Sequence, residues 1–236
     1  MAIEESRFYE HPGIDPQGIL RAAIFNLTSE DRQGASTITQ QYVTNVINES
    51  FVSQDKTDEV VLSGQKSIGD KLREMKLAIA LEKKFSKDQI LEGYLNIVFF
   101  NREAYGVEAA ARYFFSTTAA DLTLPQAALL AGLVNSPSYY NPAVNPEHAT
   151  NRRNQVLSEM LAKGKITQAD HDAATATPIE LKLSPGKQGC ANAQMAPYFC
   201  DYISHLILNN PAFGTTLIER QRKLYRGGLT IVTTLD

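Results

Sequence analysis

Between Lys71 and Lys84 the apolar residues Leu72, Met75, Ile79 and Leu81 fall close to one helical stripe, with Lys71, Arg73, Lys76 and Lys83 mostly off it, which predicts a helix. Ser86 is placed to cap the next helix, which carries Ile90, Leu91, Tyr94 and Leu95. An alanine-rich helix is expected from Ala104 to Phe115. Another opens at Leu124-Pro125, where proline's missing N–H falls in the first turn, and runs to Leu133 before the SPSYYNP run stops it. Further helices are predicted from about Pro146 to Ala162, Gln168 to Ala174, Met195 to Leu208 and Thr216 to Tyr225. Residues 48–69 hold no sustained period and read as a loop or flap. Only the last ten residues, where two glycines lead into a β-branched run in RGGLTIVTTLD, read as strand. The expected class is all-α.

Composition narrows the possibilities. With 236 residues, 43% of them hydrophobic, the chain can bury a sizeable core. A net charge of −3 argues against a nucleic-acid partner, which calls for a basic stripe to displace counterions. The longest apolar runs, such as Ala127 to Val134, are far shorter than the ~20 residues that span a bilayer. Cys190 and Cys200, ten positions apart, are expected to close a small loop in an oxidising compartment; two unpaired thiols are the alternative.

The polar residues carry the chemistry. Glu4 sits in IEESRFYEHPGID, an acid in a tight aromatic and His/Gly setting, and GASTITQQYVTN follows from Gly34 to Asn45 with many hydrogen-bonding groups and little apolar bulk. DKLREMKLAIALEKKFSKDQILEGYLN (Asp70 to Asn96) and NRRNQVL (Asn151 to Leu157) complete the series. In order and spacing these four blocks resemble those of the family 51 peptidoglycan glycosyltransferases, over residues 3 to about 160. The resemblance implies a lysozyme-like α-helical fold with a short C-terminal β linker, and polymerisation of lipid II with inversion and release of undecaprenyl pyrophosphate.

Joining two sugars through a hydroxyl needs a base, and the resemblance assigns that role to Glu4, with Ile3 and Phe8 able to raise its pKa by desolvation. The leaving diphosphate needs donors and cations. Ser36 is read as a helix cap whose helix offers free N–H groups to an anion, with Gly34 and Ala35 allowing close approach and Thr37, Thr39, Gln40 and Gln41 as substrate-binding residues. Glu74 matches the family's second glutamate, as a catalytic-site residue that positions the donor or holds Mg2+ or a similar divalent cation. Lys71, Arg73, Asn96 and Arg152 are further substrate-binding candidates, Arg152 leading the Arg152-Arg153 pair. His11 and Asp15 read as parts of a shaped turn rather than a relay. Three positions depart from the family pattern: Glu5 replaces an aspartate, Thr44 a lysine and Asp70 an arginine.

The resulting domain assignment is 1–178 for the glycosyltransferase domain, 179–226 for a helical extension of it, and 227–236 for the start of a linker to a transpeptidase domain. The resemblance implies a longer natural chain with an N-terminal anchor, acting at the extracytoplasmic face of the bacterial membrane. Its expected partners are lipid II, the growing glycan strand and the membrane surface. Because Thr44 and Asp70 remove cations, the alternative is a weak or inactive scaffold that binds lipid II or glycan. A muramidase-type hydrolase is disfavoured, since cleaving an uncharged glycoside needs no diphosphate-binding run.

Overall fold

Helix starts translate most directly from sequence into structure in the computed structural model, which describes residues 3–28, 34, 36–53, 66–101, 104–184, 190, 196–226 and 231–233. The helices are α1 (Pro16–Thr28), α2 (Ile38–Ser53), α3 (Ile68–Glu82), α4 (Lys87–Ile97), α5 (Val107–Phe115), α6 (Leu124–Leu133), α7 (Pro146–Ala162), α8 (Gln168–Ala176), α9 (Pro197–Asn209) and α10 (Leu217–Arg226). Reciprocal capping boxes open α3 (Ser67 with Asp70), α4 (Ser86 with Gln89), α6 (Thr123 with Gln126) and α8 (Thr167 with Asp170).

Three expectations change. α1 was not anticipated, and α2 extends to Ser53, into the stretch read as a loop; residues 54–65 lie outside the described residues. The alanine-rich helix begins at Val107 rather than Ala104, because Ala104–Tyr105 forms a strand, β2, paired antiparallel with β1 (Phe99–Asn101). Gly106 makes the change of direction with φ +84°, and a side chain there would press against the carbonyl oxygen of Asn96 at 2.4 Å. At the C-terminus Ile231 to Thr233 are not strand, and the rest of the predicted strand lies outside the described residues.

The chain divides into two compact units, Met1–Pro185 and Gly186–Asp236. The sequence puts a boundary after 178. In the structure the following residues run along the first unit, with Lys182 N–H on the Phe114 carbonyl and Ser184 N–H on that of Tyr113. In the first unit the main core gathers Phe8, Ile38, Ile90, Tyr94, Phe100, Phe114, Leu129 and Leu133. α6 is apolar almost all round. It serves this core on one side, and on the other its Ala128 joins Val156, Leu157 and Ala174 of α7 and α8. In the second unit Cys190 and Cys200 are joined, Sγ to Sγ 2.12 Å with Cα atoms 5.3 Å apart. There Arg220 donates to the carbonyls of Leu208 (2.6 Å) and Gly214 (2.8 Å), tying α10 to the end of α9.

Candidate active site

Phe8, fully buried, anchors the N-terminal loop, and Glu4 on that loop faces a cleft of about 600 Å³. Gln41, Thr44 and Asn45 of α2, Lys66 just before α3, Glu74 of α3, Tyr94 of α4 and Arg152 of α7 also line this cleft. Arg152 Nη2 donates to Glu4 Oε1 at 3.1 Å across 148 positions of sequence. Burial pushes the Glu4 carboxyl above its ordinary value, against the lowering pull of the Arg152 guanidinium. The guanidinium also lies over the Tyr140 ring, 5.3 Å from its centroid, and its buried Nε has no hydrogen-bond partner among the described residues. Gly132 makes this placement possible, since a Cβ there would stand 2.9 Å from Arg152 Cγ.

Neighbouring positions on a helix point about 100° apart, so Arg153 turns away from the cleft. It is buried and donates to the carbonyls of Thr177 (2.6 Å) and Thr175 (3.0 Å) at the end of α8. Arg152 is the member of the pair that reaches the site.

The GASTITQQ run differs from its reading in detail. Ser36 does not cap α2. Thr37 does, its Oγ1 accepting from Gln40 N–H (3.1 Å) as Gln40 Oε1 accepts from Thr37 N–H (2.8 Å). Nor is the helix N-terminus open to an anion from solution, because Glu5 Oε2 accepts from Ile38 N–H at 2.6 Å. Thr39 is fully buried, with Oγ1 on Glu82 Oε1 at 2.5 Å. Thr37, Thr39 and Gln40 are therefore committed to holding the fold, although Thr37 borders a smaller cavity adjoining Glu4 with its remaining 2% of exposed surface. Ser36 and Gln41 do line the cleft; Ser36 Oγ accepts from Lys71 Nζ at 2.7 Å, and Gln41 Oε1 from the Tyr94 hydroxyl at 2.9 Å.

Glu74 is 5% exposed and sits at the centre of a charged cluster. Its Oε2 accepts from Lys66 Nζ and from Thr44 Oγ1 (3.0 Å), and its Oε1 from Lys71 Nζ (3.2 Å). Lys66 Nζ also donates to Thr44 Oγ1 at 2.8 Å. The position where the family pattern has lysine thus holds a hydroxyl, and a lysine from another part of the chain brings its ammonium to it. Lys66 was missed because it lies in the aperiodic stretch 48–69; its sequence signal is that it directly precedes the Ser67 cap.

Direct coordination of Mg2+ by Glu74 does not fit these residues. Ammonium groups already occupy both carboxylate oxygens, and no group of three or more metal-ligating side chains occurs among the described residues. Asp70 is spent on the α3 cap, its Oδ2 accepting from Ser67 N–H (2.9 Å) and Oγ (2.6 Å). Arg73 and Asn96, read as substrate-binding candidates, are exposed and, like Lys71, line neither Glu4 cavity. His11 and Asp15 do not bond to each other. Both Asp15 oxygens accept from Arg7 Nη2 at 2.6 Å and His11 turns to Glu5.

Comparison with known proteins agrees with the resemblance carried by the motif blocks. A family model described as Transglycosylase matches residues 1–161. Penicillin-binding protein 1A of Vibrio cholerae is 39% identical over the whole chain, which spans 26% of that protein. A putative transglycosylase of Cupriavidus necator is 41% identical over 77% of the chain and 73% of its own length. With its cleft glutamate, its cation cluster and these relatives, the chain belongs to the transglycosylase family.

Proposed function

We propose that the chain is a peptidoglycan glycosyltransferase that elongates glycan strands from lipid II, with Glu4 as general base. One observation carries the reading: a largely enclosed carboxyl with a raised pKa shares a cleft with Arg152 and with the Lys66–Glu74 pair. Glu4 takes the proton from the acceptor sugar's O4 hydroxyl as that oxygen attacks the donor's anomeric carbon from the face opposite the diphosphate. The new C–O bond forms with inversion, and the old bond's electron pair leaves on the diphosphate. Charge growing on the phosphate oxygens is met by fixed cations, for which Arg152 and Lys66 line the cleft and Lys71 stands next to them on Glu74. Glu74 acts by holding the two lysines.

Substrate delivery from a membrane accords with α1, where Leu20, Ile24 and Leu27 form an exposed apolar stripe (62%, 56% and 86%). No helix among the described residues is long and apolar enough to cross a membrane. We place the reaction on the extracytoplasmic face, in a longer protein that also carries a transpeptidase domain.

The test is incubation of the chain with lipid II in vesicles and sizing of products on a gel. Parent protein should form polymer, and Glu4→Gln should lose ~10²–10⁴-fold in rate while staying folded. Full polymerisation by Glu4→Gln would overturn the assignment of the base, and binding of lipid II without turnover by the parent would favour a scaffold.

A further inference from the structure

Glu5, next in sequence to the proposed base, is only 7% exposed, and its two carboxylate oxygens point to different parts of the fold. Oε1 meets His11 Nε2 at 2.5 Å and Oε2 accepts from Ile38 N–H, in the first turn of α2, at 2.6 Å. α2 supplies the cleft wall through Gln41, Thr44 and Asn45. One carboxylate therefore connects the loop that carries Glu4 to a helix that lines the same cleft. A second bond holds the same junction, from Thr37 Oγ1 to the Gly13 carbonyl at 2.8 Å.

His11 presents one ring nitrogen to Glu5 in this arrangement. Its Nε2 faces the carboxylate and must donate, whereas its buried Nδ1 has no hydrogen-bond partner among the described residues. A carboxylate only accepts, so the nitrogen that faces it, Nε2, is the one that carries a proton. The charge-assisted contact to the α2 N-terminus is made by Glu5, where helix dipole and free N–H both favour an anion.

We propose that Glu5 is a positioning residue for glycosyl transfer: by bridging His11 and the α2 N-terminus it sets the register of Glu4 against the cleft wall. It is a glutamate, where the resemblance leads one to expect aspartate, that holds both partners here. This rests on the polymerase reading, because the register matters only if Glu4 reacts.

The experiment compares parent, Glu5→Gln, Glu5→Asp, His11→Gln and His11→Phe in polymerisation kinetics with lipid II, with thermal melts on each. Reactions are run well below the lowest melting temperature. Loss of register should appear in kcat, by ~10–10²-fold for Glu5→Gln and His11→Phe, with KM within about threefold of the parent. His11→Gln, whose amide can donate where Nε2 does, should recover most of that loss, and Glu5→Asp should fall between. Histidine 15N spectra of the parent should show a proton on His11 Nε2. A purely structural role would lower melting temperatures and leave kcat within about threefold in folded Glu5→Gln; that result, or an Nδ1–H tautomer, overturns the inference alone. An inactive parent overturns the polymerase reading and this inference with it.

Discussion

Replacing Glu74 by glutamine tests whether that carboxylate organises lysines or binds a metal. The Lys66–Glu74 pair is closed off from water, with side chains 9% and 5% exposed, whereas Lys71 is 39% exposed and its contact contributes little. Removing one partner of a buried pair typically costs ~3–5 kcal/mol, because the other charge is left uncompensated. Glutamine keeps an acceptor for Lys66 and Thr44 but loses the charge that roughly doubles such a bond, so ~2–3 kcal/mol is the expected loss. Set against a domain stability of ~5–15 kcal/mol, the variant should remain folded. Urea unfolding of parent, Glu74→Gln, Lys66→Met and the double variant should show a coupling of at least ~1 kcal/mol, as expected for groups in contact. Polymer formation should drop in Glu74→Gln, and added Mg2+ should not restore it. Single effects that add within ~0.5 kcal/mol, or recovery of both stability and turnover by Mg2+, would refute the lysine-organising role.

Three further outcomes are expected. Since burial raises the Glu4 pKa, the rate should fall with acid through a midpoint above 4.5, and Arg152→Gln, which removes a lowering charge, should move that limb to higher pH; a parent limb at or below 4.5 contradicts the assignment. By the same sign, Glu4 adds stability below its unfolded pKa, and urea melts across pH should show that part lost as pH rises through the folded pKa. Gly132→Ala puts a methyl 2.9 Å from Arg152 Cγ and should lower turnover ~10–10²-fold, and a parent-like rate would mean that Arg152's placement is not critical. Non-reduced protein should show no titratable thiol, and serine at both Cys190 and Cys200 should destabilise the second unit by ~2–4 kcal/mol in thermal melts.

Helix positions were largely legible because the signals are local. Ser86 and Gln89, or Thr167 and Asp170, meet within one turn whatever the rest of the chain does. α1 escaped because its apolar residues are largely exposed, so its pattern does not separate a buried face from a wet one. β1 and β2 escaped because two or three residues are too few to show a period. Glu4, Glu74 and Arg152 could be named from motif order, but their partners could not. The Glu4–Arg152 contact joins positions 148 apart, and Lys66 reaches Thr44 across 22 residues, many of them without periodic pattern. For GASTITQQ the sequence determined that the run is polar and opens a helix. Only the fold decided which of its groups remain available: burial turned Thr37, Thr39 and Gln40 inward to satisfy backbone and carboxylate, and Glu5 took the helix N-terminus that a substrate anion would otherwise have found. Caps and stripes depend on neighbours along the chain, whereas the availability of a polar group depends on which distant side chain reaches it first.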